Sequence, residues 1–97
     1  MQINGQLFDW DESKYAANIN KHGISFNEAA TVFLDPYVIE SYDHEHSDFE
    51  DRFIAIGISK NLNLLVVCHC FREESGVIRI ISARKATKGE INLYGGV

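Results

Sequence analysis

The sequence predicts an α+β fold: a small twisted antiparallel β-sheet, built as a meander, with two N-terminal helices packed on one face and a short C-terminal helix. Three observations predict it. Helix-start signals stand at Asp11 and Ser25, both in the first third of the chain. Further on, "RFIAIGIS" (52–59) alternates between two residue sets, the period of a strand. Finally, the short polar stretches "KNLN" and "EESG" separate three β-branched runs, as hairpin turns do.

Each element has its reason. "QLFDW" (6–10) reads as a short strand, and Asp11 then caps a helix over 12–22 with Glu12 near the positive end of its dipole. Tyr15, Ile19 and His22 share one face of that helix, and Gly23 ends it. Ser25 and Glu28 form a capping box for a second helix, whose buried stripe is Phe26, Ala29, Ala30 and Phe33, with Pro36 just past its end. Strands follow at 37–42, 52–59, 64–72 and 77–84, with the acidic stretch 43–51 between the first two. Thr87 and Glu90 repeat the capping box for a last helix, ended by Gly95 and Gly96.

Two-residue hairpin register pairs Ser59 with Leu64 and Arg72 with Val77, and cross-strand partners share a face. Ile54, Ile56, Ile58, Leu65, Val67, Phe71, Ile78 and Ile80 then face the helices. Phe53, Ala55, Gly57, Cys68, Cys70, Arg72, Arg79 and Ile81 fall on the opposite, open face. A single bulge in any strand would exchange its faces.

At 97 residues the chain fits one domain, 1–97, and its hydrophobic share of 45% is that of a globular protein. No apolar run approaches the roughly 20 residues of a membrane span, and the N-terminus has no signal-peptide pattern. Cys68 and Cys70 point to the same side of an extended strand, and neighbours so close rarely form a disulfide with each other, so reduced thiols and a cytoplasmic location are expected. A net charge of −5 argues against loose, charge-driven nucleic-acid binding. The charge is uneven, however. The stretch 35–51 is dense in Asp and Glu and has no Lys or Arg, whereas Arg72 to Lys88 holds five basic and two acidic residues.

Metal-free RNA cleavage needs a base for the 2′-hydroxyl, a cation for the phosphorane-like transition state and an acid for the leaving oxygen. Arginine suits the second role because its planar fork binds phosphate oxygens in pairs. Arg72, Arg79 and Arg84 are candidates, against the plain alternative of surface charges paired with Glu73, Glu74 or the acidic loop. His69 has the right intrinsic pKa but faces the helices in this register, as a core histidine does. His22 suits the C-terminal end of a helix dipole. The loop "DHEHSDFED" (43–51) matches no structural zinc pattern, so no metal and no cofactor are expected. His46 or Glu50 become proton-transfer groups if this loop folds over the sheet. Lys85 and Lys88, with Thr87, flank the start of the last helix, where free amides attract anions.

"FDWDESKYAANINKHGISFNEAATVFLDP", the later "DRFIAIGIS" and the closing "IRIISARKATKGEINLY" together resemble the BrnT family of bacterial toxins, over Phe8 to Tyr94. The resemblance implies a fold similar to the RelE and ParE toxins and a ribonuclease that cuts cellular RNA and halts growth. It also implies a neighbouring antitoxin, BrnA, whose ribbon-helix-helix domain binds DNA, and it allows a toxin dimer within the complex. Lys21 and His22 match the family's "KHG" positions. Arg79, Ser82, Arg84 and Lys85 match "RIISARK". Glu50 or Asp51 with Arg52 falls where the family often carries an acidic residue before "RF". The expected site therefore has Arg79 and Arg84 stabilising charge, His69 or Glu50 moving the proton, and Lys85, Arg72, Lys21, His22 and Lys88 holding RNA. The alternatives are an inactive relative that only binds its antitoxin, or a toxin of the same fold with a target other than RNA.

Overall fold

A computed structural model describes residues 1–72 and 76–95. Most of the turn expected at 73–76, the partners Glu73 and Glu74, and Gly96 lie outside the described residues. The chain runs β1 (Gln2–Ile3), β2 (Gln6–Trp10), α1 (Glu12–His22), α2 (Phe26–Ala30), a 3-10 turn (Thr31–Leu34), β3 (Ile39–Tyr42), a second 3-10 turn (His44–His46), β4 (Phe53–Ile58), β5 (Leu64–Arg72), β6 (Val77–Lys85) and α3 (Lys88–Gly95). Among the described residues, no helix is long and apolar enough to cross a membrane.

Local chemistry sets the helix ends. Asp11 Oδ1 accepts from the Ser13 and Lys14 amides, and Gly23 takes the left-handed conformation that closes α1. Ser25 Oγ caps α2 by accepting from the Glu28 amide. After five residues α2 tightens into the 3-10 turn, so it is shorter than the Ser25–Pro36 spacing suggests. At α3 the capping box closes both ways: Glu90 Oε1 accepts from the Thr87 amide, and Thr87 Oγ1 from the Glu90 amide.

The strand order is β1-β2-β6-β5-β4-β3. β3 to β6 form the expected antiparallel meander, but β2 lies parallel to β6. The sheet is therefore mixed rather than purely antiparallel. Parallel neighbours need a long connection, and here the connection includes α1 and α2, which carry the chain across one face. That face holds the core: Phe8, Phe26, Ala29, Ala30, Val32, Ala55, Leu65, Val67, Ile78, Ile80 and Ala83 among others. Asn18 of α1, itself buried, donates to the Ile24 and Ala83 carbonyls and accepts from the Ala83 amide, pinning the helix to β6.

Two departures from the expected register shape the other face. The first is in β4. Its connection to β5 is longer than a two-residue hairpin, because the Ser59 amide donates to the Asn63 carbonyl and Leu62 adopts φ +63°. Ile58 rather than Ser59 therefore pairs with Leu64. Phe53, Ala55 and Gly57 turn inward, and Ile54, Ile56 and Ile58 turn outward, opposite to expectation. The reason is space. The 3-10 turn sits directly on Gly57, where a Cβ would stand 2.8 Å from Val32 Cγ1, so the small residues must face the helices. The second departure is a bulge: Cys68 pairs with Ser82 but His69 with Ile80, leaving Ile81 as an extra residue in β6.

Candidate functional site

The bulge decides which cations meet. Arg79 and Arg84 are five residues apart, an odd spacing that puts them on opposite faces of a regular strand. With Ile81 inserted, Arg79 pairs with Cys70 and Arg84 with Val66, and both fall on the uncovered face. Two cavities lie there and adjoin at Ile81. One, of about 330 Å³, is lined by Asp43, His46, Arg52, Ile54, Val66, Cys68, Ile81, Ser82 and Arg84. The other, of about 300 Å³, is lined by Asp11, Lys14, Glu50, Cys70, Phe71, Arg72, Arg79, Ile80 and Ile81. The acidic loop thus folds over the sheet and contributes to both.

In the first cavity, His46 Nδ1 lies 2.9 Å from Asp43 Oδ2, with Asp43 nearly buried and His46 largely exposed. Asp43 is itself fixed, because its amide donates to the Arg52 carbonyl at 2.8 Å and its carbonyl accepts from Ser47 Oγ at 2.6 Å. A carboxylate bound at Nδ1 favours the tautomer with its proton there, leaving Nε2 to accept one. Arg52 lines the first cavity and pairs with Glu50 of the second: its Nε is covered, 3.5 Å from Glu50 Oε1, with no hydrogen-bond acceptor among the described residues. Arg84 makes a two-pronged pair with Glu90, at 2.7 and 2.8 Å, and that bond holds the Glu90 carboxyl down to about 2. Burial, then the Asp43 charge, raises the Cys68 thiol above its ordinary pKa, so it is not a ready thiolate.

In the second cavity, Arg79 Nε donates to Asp9 Oδ1 at 3.1 Å, and Arg72 Nη1 stands 3.8 Å from the other oxygen of Asp9. The hydrogen bond to Asp9 raises the Arg79 pKa further, keeping it charged. Each of these arginines is thus held by a carboxylate, and open volume remains between them.

The remaining expected residues lie elsewhere. His69 is fully buried on the helix side, ringed by Phe33, Phe53 and Phe71. Its Nε2 approaches Glu40 Oε1 to 3.3 Å, and burial lowers its pKa. It is across the sheet from both cavities. Lys21 and His22 end α1, Lys85 ends β6 opposite Leu65 on the helix side, and Lys88 opens α3. Sequence reasoning singled out neither Arg52 as a site cation nor Lys14, and it left His46 conditional. The signal for Arg52 is its place between an acidic loop and a strand, where a side chain cannot avoid the loop's carboxylates. Among the described residues, no three His, Cys, Asp or Glu side chains converge as metal ligands.

Fold and site together define a small α+β protein with a cationic groove on the uncovered side of its sheet. The chain belongs to the family of BrnT ribonuclease toxins of type II toxin-antitoxin systems, whose model matches residues 10–90. It is similar to the crystal structure of the Brucella abortus ribonuclease toxin BrnT, with a TM-score of 0.63 and 28% identity, covering 86% of this chain and 99% of that one. No curated protein sequence matches it.

Proposed function

We propose that this chain is a metal-independent endoribonuclease toxin that cuts cellular RNA, arrests growth and is held inactive by a cognate, BrnA-like ribbon-helix-helix antitoxin. An architecture related to the RelE and ParE toxins fits the same reading. The observation that carries it is the Asp43–His46 pair, which shares a cavity with Arg52 and Arg84. His46 Nε2 takes the 2′-hydroxyl proton while Asp43 steadies the imidazolium that forms. The freed oxygen attacks phosphorus, the 5′ oxygen leaves, and a 2′,3′-cyclic phosphate remains. Arg52, with a spare buried donor, meets the extra negative charge of the transition state. Arg84, its plane set by Glu90, positions the phosphate. Arg79, Arg72 and Lys14 hold the neighbouring nucleotide in the second cavity, Glu50 steadies Arg52, and the 5′ oxygen takes its proton from water as it leaves. His69 has no part in this scheme because RNA cannot reach it. The net charge of −5 is compatible, because all four arginines of the chain line the cavities of one face.

A second reading has one observation in its favour. Arg52, Arg79 and Arg84 each face a carboxylate of the chain itself, as in a relative that binds its antitoxin without cleaving. Purified protein incubated with single-stranded RNA and a chelator separates the two. Cleavage that leaves cyclic phosphate ends, and that disappears in a folded Arg79→Ala variant, supports the toxin reading. Intact RNA, with growth unaffected on expression, supports the inactive relative.

A further inference from the structure

β3 is a free edge. The strand order ends on it, and all four of its residues are exposed. The Asp43 amide donates to the Arg52 carbonyl, so by the alternation of an antiparallel ladder residues 39 and 41 also turn their backbone groups toward β4. The N–H and C=O of Glu40 and Tyr42 then point away from the sheet. Among the described residues, no turn, loop or cap bond reaches them, and no further strand lies beyond β3. The opposite edge, β1, has only two residues and offers far less.

The surroundings of β3 are selective. From Asp35 to Asp51 the chain carries Asp and Glu but no Lys or Arg. Such an edge repels a second copy of itself, the usual protection against edge-to-edge pairing, and it attracts a strand of opposite charge. Exposed rings flank it, with Tyr37 at 76% and Phe49 at 102% accessibility.

We propose that β3 receives an extended, lysine- or arginine-rich segment of the antitoxin as an added strand. Main-chain bonds to Glu40 and Tyr42 supply the hold, and the acidic surround selects the partner. The inference rests on the reading of this chain as a toxin with a cognate antitoxin. Its consequence follows from position. Asp43 comes directly after Tyr42, so a strand laid along β3 ends beside the Asp43–His46 pair.

The test uses the full chain and the antitoxin encoded beside it, with amide exchange followed residue by residue. In the complex, the Glu40 and Tyr42 amides become protected. Tyr42→Pro, whose fold is checked by circular dichroism, weakens binding about 10- to 100-fold by removing an outward donor. The pair E45Q and D48N, on exposed loop carboxylates, weakens binding about three- to tenfold at low salt and flattens its salt dependence, with cleavage by the free protein unchanged. If Tyr42→Pro does not fold, exchange and the charge variant decide. A complex of full strength with an unprotected edge overturns the docking site and leaves the antitoxin reading standing. Edge protection in the free chain at high concentration overturns it in favour of self-pairing. Failure of the wild-type proteins to associate overturns both.

Discussion

The two faces of this one sheet hold opposite chemistries, and a histidine on each shows the difference. His69, on the helix side, is sealed among aromatic rings and kept neutral by burial. His46, on the uncovered side, is exposed and oriented by a fixed carboxylate. Both residues have the same intrinsic chemistry, so environment alone separates a sealed packing residue from one open to solvent and ligands. The comparison also shows that a loop rich in Asp and Glu can share cavities with arginines, provided the strands beneath it supply them.

The largest expected effect tests that contrast directly. His46→Ala should lower RNA cleavage by about 10²- to 10⁴-fold with an unchanged melting temperature. Cleavage at the parental rate would place the chemistry elsewhere. Next come two neighbouring isoleucines. Ile80 is fully buried under the helices, and Ile80→Ala should cost about 2–5 kcal/mol in urea unfolding. Ile81→Ala, at the bulge on the groove side, should cost much less; equal losses would mean that the groove is as closely packed as the core. Gly57→Ala should cost about 1–3 kcal/mol, because the new methyl meets Val32. Restored stability on adding Val32→Ala would identify that contact as the cause.

The smallest effect at neutral pH concerns His69 and grows with acid. Its pKa is lowered in the folded state from 6.5, chiefly by burial, so below that value the unfolded chain binds more protons than the folded one. Stability is therefore complete above about pH 6.5 and declines as pH falls. In His69→Phe the decline should be shallower. An unchanged acid profile would assign the loss to carboxylates instead.

Much of this was legible in the sequence, because its signals are local. Asp11 and Gly23 bound α1 where their capping chemistry requires, and Thr87 with Glu90 opens α3. The Arg72–Val77 pairing follows from a short connection between two clear strands. Other features were hidden. The inward side of β4 looks like the wrong one, because its isoleucines are more apolar than Ala55 and Gly57, and only the 3-10 turn pressing on Gly57 reverses the assignment. β1 was not foreseen, since two residues carry no periodicity. The parallel pairing of β2 with β6 joins segments about seventy residues apart, and nothing in either segment encodes that partner.

The sequence by itself determined where helices start and stop, which stretches are extended, and that cations gather toward the C-terminus while acids gather in the middle. Those properties depend on backbone propensity and on charges close together along the chain. Tertiary structure alone decided which face each strand presents, that one extra residue in β6 brings Arg79 and Arg84 to the same side, and that Asp43 and His46 fold over them. A pleat alternates every residue, so one bulge or one crowded glycine exchanges a whole set of side chains between core and solvent.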